Sequence, residues 1–272
     1  MEHNYRYIDV HTHVNLDAFA SDFREVAEHT HAEGVAYINV GTGEETSLRA
    51  VQLTHEGAGG VYATVGLHPV RAGGATDDDG TPPETFDRSY YEGLARDPKV
   101  VAIGECGFDY FRVDKATKEK QEAAFIQQIE LANDLRKPLM LHIRDVKGSM
   151  EAYEDVLAVL KTHAKVFGNV HFFAGTYEIA KQFWDMGYTT SFTGVITFAK
   201  EYDETVKNAP LEMLHAETDA PYVAPVPFRG ERNEPLHVRE VYKRIAELRG
   251  EDNESVRAQL LQNARRLFGV RV

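Results

Sequence analysis

The feature that most constrains this chain is its rhythm: short apolar runs, each followed by a helical pattern, recur along its whole length. Strands are expected at residues 7–13, 35–40, 61–66, 100–104, 139–142, 169–173, 189–192 and 214–218. Helical patterns fall between them at 21–33, 44–55, 85–96, 118–136, 148–163, 176–186 and 203–208. Two more, 234–249 and 253–268, close the chain, with Asn253 as the expected N-cap of the last. Strands joined by crossover helices pair in parallel. Eight such units close an α/β barrel of the (β/α)8 TIM type; five or six would leave an open, doubly wound sheet. The count here is eight, with 189–192 the faintest, and 272 residues suits a barrel of about 250. No linker divides the chain, so one barrel domain over 1–272 is expected. The Gly-, Asp- and Pro-rich stretch 71–83 reads as a surface excursion after the third strand.

Composition removes several function classes. The chain is 43% hydrophobic and 27% charged, as soluble globular proteins are. No run reaches the ~18 apolar residues of a membrane helix, so no membrane role is expected. The opening residues lack the basic and apolar regions of a secretory signal, and the one cysteine, Cys106, suits a reducing compartment. A cytoplasmic location is the resulting expectation. Thirty basic residues against 43 acidic ones give a charge of −13, which argues against a lysine sheath around duplex DNA. A nucleic-acid substrate held through bound metal ions stays open.

The barrel expectation says where chemistry must gather: at the C-terminal ends of the strands. His11 and His13 close the first strand, and residues two apart on a strand point the same way. With 12 histidines in the chain, chance alone supplies roughly half a pair at that spacing, so the pair is weak by itself. His29 and His31 repeat the spacing inside a helical pattern, where such residues diverge, and read as surface side chains. The other strand ends add weight. Glu105 follows residues 100–104, His142 ends 139–142, His171 lies near the end of the sixth strand, and Asp219 follows 214–218. Each has an ordinary reading as a cap, a core histidine or a turn residue. Their common register with strand ends points instead to a metal site, since buried charges are costly unless paired or metal-bound. Cys106, next to Glu105, alternates away and reads as packing.

These residues stand in recognisable blocks: Asp9-Val10-His11-Thr12-His13, Gly66-Leu67-His68-Pro69, Gly104-Glu105-Cys106-Gly107-Phe108-Asp109-Tyr110, His142-Ile143-Arg144-Asp145, His171-Phe172-Phe173-Ala174-Gly175, Ser191-Phe192-Thr193-Gly194, Glu217-Thr218-Asp219-Ala220-Pro221 and Arg232-Asn233-Glu234-Pro235. In this order and over nearly the whole chain they resemble the TatD family of metal-dependent hydrolases, among the amidohydrolase-type barrels. The resemblance implies one or two divalent ions, Zn²⁺, Mg²⁺ or Mn²⁺. His11, His13 and Asp219 would hold the first, His142 and His171 the second, and Glu105 would bridge them. Asp219 would also act as general base, with Asp9 and Asp145 as candidate supports of the imidazoles. His68 would approach substrate phosphate, or else make a strand-end hydrogen bond; Arg144 would pair with a phosphate oxygen or with a neighbouring acid; Tyr110 and Phe111 would stack bases or anchor their loop; and Arg229, Arg232 and Asn233 would line the groove. Three departures stand out: Val14-Asn15 where a Leu-Asp pair is usual, a longer and more acidic 71–83 stretch, and Glu231 where a lysine is common.

The implied activity is phosphodiester hydrolysis, as a deoxyribonuclease trimming single-stranded DNA from its 3′ end, with no obligate protein partner. Two other readings keep the same site: an amidase, lactonase or deacylase acting on a small ester or amide, and a metal-binding scaffold without catalysis. Related barrels often bridge their ions with a modified lysine after the fourth strand, and Glu105 in that place favours the nuclease reading.

Overall fold

The structure, a computed structural model, describes residues 5–56, 59–77 and 80–272. Residues 1–4 of the opening segment and 78–79 of the 71–83 excursion lie outside the described residues. Eight strands form one sheet in sequence order, every neighbouring pair parallel. They are β1 (Tyr7–Thr12), β2 (Val35–Val40), β3 (Val61–Val65), β4 (Val100–Asp109), β5 (Leu139–Arg144), β6 (Gly168–Val170), β7 (Thr189–Phe192) and β8 (Leu214–Ala216). The helices are α1 (Phe23–Ala32), α2 (Glu44–Leu53), a short α3 (Pro69–Ala72), α4 (Arg88–Ala95) and α5 (Lys118–Leu135). They continue with α6 (Glu151–His163), α7 (Tyr177–Asp185), α8 (Asp203–Asn208), α9 (Val238–Arg249) and α10 (Asn253–Phe268). This is the expected (β/α)8 barrel. Its seam is sewn beyond β8, where the Asp219 amide donates to the His11 carbonyl (2.9 Å) and the His13 amide to the Ala220 carbonyl (2.7 Å).

Strands buried on both faces read as continuous apolar runs, which is why β2, Val-Ala-Tyr-Ile-Asn-Val, is buried throughout. The main core lies between sheet and helices: Phe108 meets Phe125 of α5 edge to face, ring centroids 5.9 Å apart. Inside the barrel bottom, Ile8, Ile38, Ala102 and Met140 form part of a second cluster. No helix among the described residues is long and apolar enough to cross a membrane.

Differences from the sequence expectation sit at element ends. Asp252, not Asn253, caps α10, its Oδ2 accepting from the Ser255 amide at 2.9 Å. α6 starts at Glu151 rather than 148 because Asp145 and Ser149 shape the preceding loop. β4 runs on to Asp109 rather than stopping at 104. Gly104 and Gly107 interrupt its apolar pattern, and their φ values of +139° and +140° are ones that side-chain-bearing residues rarely adopt. A Cβ at Gly107 would stand 2.2 Å from the His142 carbonyl oxygen.

Gly107→Ala is therefore expected to destabilise the protein by more than the ~1–3 kcal/mol of backbone strain alone. Gly93→Ala, in α4 with nothing within 4 Å, should instead stabilise by up to ~1 kcal/mol. Urea denaturation of the two variants decides it; equal midpoints would contradict this account of β4.

Candidate metal centre

The C-terminal mouth of the barrel holds a cavity of about 410 Å³ whose floor includes His13, Glu105, His142, His171 and Asp219. His11, on β1, and His13, just beyond it, turn their rings to the same side. Their Nε2 atoms are 3.1 Å apart. The His13 ring is oriented from behind, its Nδ1 meeting the Val40 carbonyl at 3.0 Å. Glu105 reaches both sides of the cavity. Its Oε2 lies 3.5 Å from His11 Nε2 and 3.8 Å from His13 Nε2. Its Oε1 lies 2.7 Å from His142 Nδ1 and 2.8 Å from His171 Nε2. Asp219 Oδ1 completes the first group, 3.4 Å from His13 Nε2. Asp219 and Phe172 hold φ of +55° and +42°. Such a conformation costs a non-glycine residue roughly 1–2 kcal/mol and is typical of functional turns.

The donor set fits divalent cations. Ligand atoms of His11, His13 and Glu105 lie within 4.8 Å of one another, as do those of Glu105, His142 and His171, and of His11, His171 and Asp219. Facing imidazole nitrogens at 3.1 and 3.2 Å are close to the ~3.3 Å that two nitrogens subtend on a tetrahedral ion with ~2.05 Å bonds. Electrostatics agree. Burial would push the Glu105 carboxyl up, yet the positive charge of His171 and His68 and a hydrogen bond from His11 hold it well below the usual carboxylate range. Burial likewise opposes charge on His171, but Glu105 and Glu217 drive its pKa well above the ordinary value. His11, buried and beside the charged His171, is lowered.

The surrounding side chains divide. His68 lines the cavity, its Nε2 3.6 Å from Glu105 Oε1 and its Nδ1 3.3 Å from Asp77 Oδ2. Arg144, exposed at the end of β5, lies on the rim with its guanidinium carbon 4.3 Å from the centroid of the Phe111 ring. Phe111 is 55% exposed. Tyr110, by contrast, is in the core, its hydroxyl donating to Asp155 at 2.7 Å. Asn233 is fully buried and donates to the carbonyls of Thr218 and Tyr222. Arg232 is held by both oxygens of Asp22 (2.9 and 2.6 Å) and by Glu234 (3.0 Å). Arg229 lies over the Phe198 ring at 3.9 Å. The groove beyond β8 is therefore bound together by residues expected to bind substrate. Asp9 and Asp145 are also elsewhere than expected. Asp9 accepts from the Thr218 amide and hydroxyl and from the His11 amide, joining β1 to the turn after β8. Asp145 caps the loop before α6.

Sequence reasoning passed over two buried carboxylates behind the imidazoles, Asp109 at 3.0 Å from His142 Nε2 and Glu217 at 3.6 Å from His171 Nδ1. The signal was available: both stand within the strand-end blocks, two to four residues from a ligand. Cys106 is buried, its thiol directed at the Met140 carbonyl, as alternation required.

A parallel barrel whose mouth gathers four imidazoles and two carboxylates defines the class of metal-dependent hydrolases. Within it, the family model described as TatD related DNase matches residues 8–269. The chain belongs to that family. It is similar to a Bacillus subtilis protein named uncharacterized metal-dependent hydrolase YabD, 38% identical over 96% of this chain and 98% of that relative. It is also similar to the 3′-5′ ssDNA/RNA exonuclease TatD of Klebsiella pneumoniae, 34% identical over 97% and 98%. Among solved structures, the TatD homologue YJJV of Escherichia coli superposes with a TM-score of 0.84 at 29% identity, covering 97% of this chain and 98% of that one.

Cation binding should appear as stability. Zn²⁺ or Mn²⁺ added to chelator-treated protein at a hundred-fold excess over Kd is expected to contribute about 2.7 kcal/mol, raising the melting temperature, and Glu105→Ala should lose most of the gain. Superimposable melting curves with and without cation would refute the site.

Proposed function

We propose that this metal-dependent hydrolase cleaves phosphodiester bonds of single-stranded DNA, removing nucleotides from the 3′ end. The observation that carries the reading is Glu105 placed between two imidazole pairs, with ligand groups on either side of it. By this reading His11, His13 and Asp219 would hold one divalent ion, His142 and His171 would hold the other, and Glu105 would serve both. Such a pair supplies Lewis-acid polarisation of the phosphodiester and acidifies the attacking water. The four imidazoles suit zinc or manganese better than magnesium, which prefers oxygen ligands.

The protein's own groups then have distinct tasks. Asp219 accepts the proton of the attacking water, its Oδ1 lying toward His11 and His13. His68, on the cavity wall beside Glu105, contacts a phosphate oxygen. Arg144 offers a forked donor to the next phosphate, and the exposed Phe111 ring beneath its guanidinium offers a face on which a base stacks whatever its identity. Support for a nucleic-acid strand comes from the Klebsiella relative, named for ssDNA and RNA. The net charge of −13 favours a frayed single-stranded end entering a cation-lined cleft over a clamp on duplex. The lone thiol, buried at Cys106, suits the cytoplasm, the compartment we assign.

The test is a 5′-labelled single-stranded oligonucleotide incubated with Mg²⁺, Mn²⁺ or Zn²⁺. Progressive shortening is expected, halted by a nuclease-resistant cap at the 3′ end. Glu105→Ala should lower the rate by more than the ~10–100-fold typical when only a ligand's supporting partner is lost, and His68→Ala by about 10-fold. Cleavage undiminished in Glu105→Ala, or turnover of lactones and N-acyl amino acids with DNA left intact, would overturn the assignment.

A further inference from the structure

The mechanism above gives no task to the buried carboxylates Asp109 and Glu217, and of the two Asp109 lies within hydrogen-bond reach of a ligand imidazole. Asp109, the last residue of β4, is fully buried with its Oδ2 3.0 Å from His142 Nε2. The carboxylate cannot turn freely. Its Oδ1 accepts from the backbone amides of Phe111 (2.9 Å) and Arg112 (2.7 Å), and the Arg112 guanidinium reaches Oδ2 at 3.1 Å. The Asp109 amide itself donates to Gln121 of α5 at 2.8 Å. Loop, helix and arginine together present a pure hydrogen-bond acceptor to one edge of the His142 ring.

An imidazole facing an ionised carboxylate through Nε2 carries its proton on that nitrogen. With a cation taking the Glu105 side, the lone pair that meets it would be that of Nδ1, the atom 2.7 Å from Glu105 Oε1 and 3.2 Å from His171 Nε2. The neighbouring rings are arranged otherwise. His13 and His171 turn Nε2 inward. Behind them stand, respectively, the Val40 carbonyl and a glutamate at 3.6 Å, beyond hydrogen-bond reach. His142 differs from both: it offers Nδ1, and a carboxylate hydrogen-bonds its far edge.

We propose that Asp109 is the positioning residue of this centre: it fixes His142 in the Nε2–H tautomer and so aims the Nδ1 lone pair at the cation shared with Glu105 and His171. The inference rests on the ligand assignment of the preceding subsection.

It leads to an inverted expectation for a conservative change. In Asp109→Asn the side-chain oxygen must stay at the Phe111 and Arg112 amides, because an NH₂ group there would face two N–H donors. The new NH₂ is then turned toward His142 Nε2, where it loses the Arg112 guanidinium as a partner and donates to the ring. The ring answers by moving its proton to Nδ1, where the proton points at Glu105 and occupies the direction of the cation. A nearly isosteric substitution is thereby more damaging to metal binding than Asp109→Ala, which leaves room for a water that serves either tautomer. A role in packing alone gives the opposite order.

The experiment titrates zinc, in competition with a chelator, into wild type, Asp109→Asn and Asp109→Ala proteins, with bound metal read by elemental analysis. Circular dichroism confirms folding. Long-range ¹⁵N NMR of the histidine rings in the zinc-free Asn variant reads the tautomer directly, so the idea stays testable if the Ala variant fails to fold. Zinc affinity at one site lowered about 10–100-fold in Asp109→Asn, less so in Asp109→Ala, with the His142 Nε2–H signal of the zinc-free wild type lost in the Asn variant, is the expected result. Wild-type zinc affinity in Asp109→Asn, or an Nε2–H ring in it, would overturn the proposal. Zinc uptake unchanged in His142→Ala would show instead that the ligand assignment beneath it is wrong.

Discussion

The structure depends on a concentration of charge that cannot be left unbalanced. Glu105 is 3% exposed and lies within 4 Å of His11, His13, His68, His142 and His171. A carboxylate so deep in the protein is costly unless paired. The barrel brings its partners from separate strands, and each partner is costly in turn without Glu105. Protons and cations compete for this one balance, which ties occupancy of the centre to folding.

The backbone around Glu105 is shaped to allow this. Two glycines with positive φ bracket it, and the ladder between β4 and β5 shifts register between Ile103 and Cys106. The irregularity turns the carboxylate into the mouth while β4 resumes regular pairing, Gly107 opposite His142. Loop residues at the rim contribute differently. The β8 turn is held by Asp9, Asn233 and the Asp22–Arg232 pair. This rigidity serves Asp219, whose carboxylate must hold its place at an unfavourable φ.

How much of this was legible in the sequence follows from the range of each interaction. Strand ends and the residues on them are set by period-two alternation and by apolar runs, both local, so the barrel and the six convergent side chains could be read directly. β6 and β8 are shorter than their apolar runs suggest, because Phe172, next to His171, and Asp219, itself one of the six, leave extended geometry. Groove residues were not legible. Whether Arg232 meets substrate or Asp22, whether Asn233 faces solvent or the Thr218 carbonyl, and whether Tyr110 stacks a base or bonds Asp155 depend on partners distant in sequence. Asp109 stands in the strand-end block of Glu105, yet a strand expected to end at residue 104 gives no reason for a side chain five residues later to reach the centre.

The seam of the barrel has a consequence for how such a protein fails. The two backbone bonds that return the eighth strand to the first are made by His11, His13, Asp219 and Ala220, three of them residues of the centre itself. Circular closure and assembly of the reactive pocket are therefore one event. Warming that opens this junction locally would silence the protein while most of its cylinder stays intact, and an occupant of the pocket would act as a rivet across the join.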